Sequence, residues 1–291
     1  GDSYWVITHF VNRFYAFKID ENGVNPTPVI STINPIVPIT GYRRNAIGYL
    51  KASPDGKKIA IAHNQLGTET GGTENNGATY LYDFNNETGV VSNGIELIKN
   101  APQYGIEFSA QTKKLYVSDV SGVYQFNLLS SNIPQSKILI SESSYSALQL
   151  GPNGKIYCAT RGTSKIGVIN KPNILGMGCD FNREGIDLNG GICQTGLPSF
   201  CPSYIIPSLT IQNLCLGSVT QFFINTDLDT SSILWDFGDG TTSSNPNPTH
   251  YYTTAGNYTV TVSGVASGDL CPLSKTITIF AAPVVSEINE I

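Results

Sequence analysis

Trp235-Asp236-Phe237-Gly238-Asp239-Gly240 is the stretch that decides the fold of the last third of this chain. On a strand, Trp235 and Phe237 face one side, toward a core, and Asp236 faces the other. Asp239 and Gly240 then make a turn, since Asp bonds its own backbone and Gly tolerates positive φ. Downstream, Pro248, His250 and Tyr252 lead to Gly256-Asn257-Tyr258-Thr259-Val260-Thr261-Val262, in which Tyr258, Val260 and Val262 alternate with polar residues. That alternation predicts a half-buried strand entered through a tight turn.

The three linked motifs resemble the PKD domain, an immunoglobulin-like β-sandwich. They are the W-D-F-G-D-G run, Pro248-x-His250-x-Tyr252, and the closing strand that carries Gly256, Tyr258 and Val260. The resemblance implies a sandwich over residues 204–282, followed by a linker at 283–291. It also implies that Asp236, Gly238, Asp239 and His250 serve turn and sheet geometry, because in that family the module is a spacer or adhesive unit.

Upstream, residues 1–203 read as strands separated by turns. One strand recurs as Trp5-Val6-Ile7-Thr8-His9, Ile59-Ala60-Ile61-Ala62-His63, Leu115-Tyr116-Val117-Ser118-Asp119 and Ile156-Tyr157-Cys158-Ala159-Thr160. Each is followed by a second strand, and three of the four are preceded by another. Four antiparallel strands per repeat is the unit of a propeller blade. The step from Leu115 to Ile156 is 41 residues, a normal blade length, and the longer step before it contains the Gly-rich insertion Gly67 to Gly77. The expected fold is therefore all-β: about four β-propeller-like blades in an incomplete ring, then a sandwich. The first repeat opens directly on its second strand, so the chain is expected to be an internal fragment with blades missing upstream.

Charged residues make up 13% of the chain, about half the usual share, which suits an extracellular surface of Asn, Ser, Thr and Gly. A net charge of -5 offers no basic field for nucleic acid, and no apolar run approaches a membrane span. The six cysteines fit no C-x-x-C pattern, which argues against zinc and for oxidised pairs. Cys215 and Cys271 flank the sandwich and are expected to pair, and Cys179 and Cys193 bracket a Gly-rich loop they would staple. Cys158 and Cys201 are left over, and Cys158 reads as a small core residue.

No nucleophile elbow, Walker loop, H-E-x-x-H or EF-hand spacing is present, so neither an enzyme nor a metal or cofactor site is expected. One constellation has functional character. Aligned repeats place His9, His63 and Asp119 at one position after the second strand, with Arg161 one step beyond. In a propeller such positions gather on one face around the channel, and they form a candidate ligand-binding ring. The alternative is that they are loop residues satisfied by neighbouring backbone.

The arrangement also resembles large surface and secreted proteins of Bacteroidetes that carry sorting domains for the type 9 secretion system. It implies a non-enzymatic extracellular or cell-surface binding protein for a glycan or protein ligand. The rival reading is an accessory region of a secreted glycosidase or protease.

Overall fold

The computed structural model describes residues 3–39, 47–66, 76–198, 208–225, 232–264 and 273–281. The chain divides into two compact units, Gly1–Ser199 and Phe200–Ile291.

Among the described residues the first unit holds four antiparallel sheets. Blade 1 holds Tyr4–Phe10 (β1), Arg13–Asp20 (β2), Gly23–Val24 (β3) and Val29–Thr32 (β4). Blade 2 holds Leu50–Ala52 (β5), Lys58–His63 (β6), Ala78–Asn85 (β7) and Val90–Lys99 (β8). Blade 3 runs through Gln103–Phe108 (β9), Lys114–Asp119 (β10), Val123–Asn127 (β11) and Ile138–Ser141 (β12), and blade 4 through Leu148–Leu150 (β13), Ile156–Cys158 (β14), Lys165–Ile169 (β15) and Phe181–Asp187 (β16). In blades 2 to 4 the strands pair in sequence order, the meander expected of propeller blades. In blade 1, β1, β3 and β4 all pair with β2.

The blades pack face to face, which explains why β6 and β10 are apolar without alternation. In β6, Ile59 and Ile61 join Phe14, Ala16, Tyr82 and Phe84 between blades 1 and 2. Their neighbours Ala60 and Ala62 join Leu81, Ile106, Phe108, Leu115 and Val117 between blades 2 and 3. A strand buried on both faces loses its period-two signal. Each large apolar side chain so buried stabilises the unit by about 1.5 to 3 kcal/mol. The polar ends of buried aromatics find backbone acceptors: Tyr82 Oη donates to Asn34 O (2.8 Å) and Tyr116 Oη to Pro172 O (2.9 Å).

A turn joins the first two strands of blades 2, 3 and 4. Residues Ser53–Gly56, Ser109–Thr112 and Gly151–Gly154 are each closed by an N–H to O bond of 2.8 to 3.0 Å. Gly56 and Gly154 take φ of 67° and 73°, and Thr112 takes 55° at the same place. Only the two Gly-containing turns announce themselves in the sequence. The third adopts their shape at the cost of a left-handed β-branched residue.

Segment 173–203 reads in sequence as the end of a blade and a crossing loop, yet β16 lies within it as the outermost strand of blade 4. Apart from half-buried Phe181, all its residues are exposed, so no apolar alternation marks it. The Gly67 to Gly77 insertion lies largely outside the described residues.

The second unit is a two-sheet sandwich. Ser208–Gln212 (β17), Thr220–Asn225 (β18), Leu234–Asp236 (β19), Thr242–Ser243 (β20), Thr249–His250 (β21), Gly256–Ser263 (β22) and Leu273–Ile279 (β23) form sheets β17-β18-β21 and β20-β19-β22-β23. Trp235 and Phe237 are buried with Phe222, Tyr252, Val260 and Val262 between the sheets. Asp236 accepts the Gly238 N–H (2.9 Å), and Gly238, at φ 80°, leaves no room for a Cβ against Thr259 O. Asp239 accepts from the Thr241 N–H (3.1 Å) and meets His250 Nε2 at 2.6 Å. His250 in turn lies flat on Phe237, ring centroids 4.3 Å apart. Tyr252 Oη reaches back to Phe237 O (2.9 Å). These polar residues of the motif are thus engaged in local geometry.

The cysteines depart from one expected pairing. Cys179 and Cys193 are separate buried thiols. They stand at opposite ends of β16, a seven-residue strand about 23 Å long at ~3.3 Å per residue, against the ~7 Å limit of Cα separation for a disulfide. Cys158 is a buried thiol between β13 and β15, and burial pushes its pKa up. Cys215 is an exposed thiol, and its expected partner Cys271, like Cys201, lies outside the described residues.

Candidate functional site

The strands that carry the expected ring are β1 in blade 1 and the second strand of the sequential meander in blades 2 to 4. His9 and His63 are, respectively, the next-to-last and last residues of β1 and β6, Asp119 closes β10, and Arg161 sits in the turn after β14. The structure brings two of these four together. The His9 and His63 rings are 5.8 Å apart and tilted by 60°, and His9 also lies 4.6 Å from the Phe14 ring. Both Nε2 atoms are buried and lack a hydrogen-bond partner among the described residues. Both pKa values are lowered to about 4, by burial in each case and for His63 also by the neighbouring His9. Two neutral imidazoles with unmet hydrogen-bonding capacity therefore mark the seam between blades 1 and 2 at neutral pH.

This seam carries a pH dependence whose sign follows from the shift. An imidazole that titrates near 4 when folded and near 6.5 otherwise is protonated first in the unfolded chain. Its contribution is complete above about pH 6.5 and is lost as pH falls toward 4. For His63, only 4% exposed, the loss is about 3 kcal/mol, and half-buried His9 adds a smaller share. Denaturant titrations at pH 7 and pH 4 are expected to show that loss, and to show a smaller one in His63→Gln. Equal acid sensitivity in both proteins would place the titration elsewhere.

Asp119 follows the alternative reading. Its Oδ1 accepts the N–H groups of Ser121 (2.7 Å) and Gly122 (3.0 Å), and Oδ2 accepts from Gln103 Nε2 (3.1 Å). It is a buried turn residue with its oxygens occupied. Arg161 is exposed, and the next residue, Gly162, donates to Cys193 O (2.9 Å). Through that bond and Cys193 N–H to Thr163 O (2.7 Å), the chain after β16 is strapped across this end of blade 4. Tyr49 and Tyr104, which precede or open the first strands of blades 2 and 3, stack edge to face at 5.5 Å at the same end.

A second polar group is absent from the expected ring. Strands β5, β9 and β13 lie side by side, and the residue at the same register of each is polar: Lys51, Glu107 and Gln149. Lys51 Nζ donates to Glu107 Oε2 (2.9 Å) and Gln149 Oε1 (2.8 Å), so one ammonium ties three blades. Glu107 also accepts the Leu150 N–H (2.9 Å) and the Phe108 N–H (3.0 Å). The signal was present in the sequence as a polar residue midway along each first strand. It is invisible without the pairing registers, because three different residue types share the position.

Among the described residues no three His, Cys, Asp or Glu side chains gather as a metal-holding group. No described helix is long and apolar enough to cross a membrane.

Residues 209–279 match the PKD domain family. No curated protein matches the chain. Among solved structures, the periplasmic gluconolactonase PpgL of Pseudomonas aeruginosa aligns with 90% of this chain and 76% of its own, at 14% identity and a TM-score of 0.39. The PQQ domain of pyranose dehydrogenase from Coprinopsis cinerea aligns over 54% of this chain at 9% identity and a TM-score of 0.36, and the chain spans only 43% of that domain. A beta-propeller domain from Myceliophteria thermophila aligns over 60% of this chain and 57% of its own, at 11% identity and a TM-score of 0.33.

Proposed function

We propose that the chain is a non-enzymatic extracellular or cell-surface binding protein, in which the propeller-like unit recognises a glycan or protein ligand and the PKD domain acts as a spacer. The observation that carries this reading is the His9 and His63 pair, whose buried nitrogens are left without partners among the described residues at the blade end that also presents Arg161 and the Tyr49 and Tyr104 pair. Native interiors rarely leave such atoms unmatched unless a ligand or water completes them. A surface of few charges and many small polar groups supports an extracellular setting.

The test is a glycan array followed by titration of the best hit. Arg161→Ala is expected to weaken binding about tenfold with an unchanged melting temperature, as for an exposed group that contacts ligand. Unaltered affinity in both Arg161→Ala and His63→Gln would remove this end of the blades as the site.

A further inference from the structure

We propose that Lys51 and Gln149 become joined by an Nε-(γ-glutamyl)lysine amide bond, which the protein forms itself with Glu107 as proton carrier. Lys51, Glu107 and Gln149 come from the first strands of blades 2, 3 and 4, at matching registers opposite Ala60, Tyr116 and Tyr157. Lys51 Nζ lies 2.8 Å from Gln149 Oε1 and 2.9 Å from Glu107 Oε2. The amide carbon is one C=O bond, about 1.23 Å, beyond that Gln149 oxygen. Nucleophile, electrophile and proton acceptor thus share one site that is largely closed to water: Glu107 is 1% and Gln149 4% exposed, and the Lys51 side chain 12%.

Each group is also held in place. Gln149 Nε2 donates to Leu150 O (3.0 Å), which turns the amide so that its oxygen faces Lys51. Glu107 accepts the Phe108 N–H at Oε1 (3.0 Å) and the Leu150 N–H at Oε2 (2.9 Å), so its carboxylate bridges blades 3 and 4 beside the lysine. An ammonium is no nucleophile, but here its proton has a place to go. It passes from Nζ to Glu107 Oε2, which leaves a neutral amine and a carboxylic acid with no change of net charge. The Nζ lone pair then forms a bond to Gln149 Cδ, Glu107 gives its proton to the Gln149 nitrogen, and the old C–N bond breaks. Nζ passes a second proton to Glu107, and that proton departs with the released ammonia as ammonium. One amide replaces another, so the step is redox-neutral and needs no co-reactant. Holding the groups in contact supplies the effective concentration that free lysine and glutamine side chains lack. The product ties blade 2 covalently to blade 4, between positions 98 residues apart in the chain.

The test is the intact mass of the full chain, purified, reduced and fully denatured. It is expected to fall short of the sequence mass by one ammonia, and digestion is expected to release a branched peptide joining Lys51 to Gln149. Lys51→Arg keeps the charge but offers no amine nucleophile, and Glu107→Gln removes the proton carrier, so both variants are expected to show the full mass. A wild-type chain of full sequence mass overturns the proposal without recourse to any variant. So does a deficit that maps to another pair of residues, or one that persists in Lys51→Arg. A link that still forms in Glu107→Gln overturns the role given to Glu107.

Discussion

Glu107→Ala is expected to destabilise the propeller-like unit by about 3 to 5 kcal/mol, the cost of removing one partner of a buried ion pair. Glu107 is 1% exposed, and its carboxylate meets one side-chain cation and two backbone N–H groups. Without it the Lys51 ammonium keeps only Gln149 among these partners, and the Leu150 and Phe108 N–H groups lose theirs. Because the lost bonds join blades 2, 3 and 4, the damage is to the packing of blades on each other. Glu107→Gln keeps an acceptor but removes the charge and is expected to fall between the two. Denaturant unfolding of the three proteins gives that order. A loss below about 1 kcal/mol for Glu107→Ala would mean that the row contributes little to cohesion.

Trp235→Ala is expected to cost the second unit about 3 to 5 kcal/mol, because the indole is wholly buried and its removal leaves a cavity between two sheets. Trp235 lies 5.7 Å from the Phe222 ring across the sandwich, and both belong to one apolar cluster of described residues in this unit. A sandwich of this size has little more stability than that to lose, so the variant module is expected to be largely unfolded. The first unit has clusters of its own and is expected to keep its transition. Calorimetry resolves the outcomes: one transition lost and one retained fits two independent cores, and two transitions shifting together would contradict them.

The sandwich and the blade repeat were legible because they rest on local chemistry. Trp235, Phe237, Tyr258, Val260 and Val262 each announce a buried face by alternation, and Gly238 and Gly240 mark turns that need positive φ. The strands of blades 2 and 3 were legible for a similar reason, since apolar runs such as Ile59 to Ala62 hold both faces of a sheet. What the linear pattern cannot carry is which side chains meet across sheets. His9 and His63 share a position in the repeat and do meet, whereas Asp119 shares it and instead bonds its own turn. Cys179 and Cys193 are close in sequence and are held apart by a strand that shows no apolar alternation. Lys51, Glu107 and Gln149 lie in three repeats and meet at one ammonium, because blade packing sets their first strands side by side. The amino-acid sequence by itself determined most of the strands, the Gly-containing turns and the two kinds of sheet, since these follow from the period and conformational limits of neighbouring residues; β16 and the turn at Thr112 were not among them. Only the tertiary structure decided the polar contacts, because they depend on register and on the stacking of blades, which no single segment encodes.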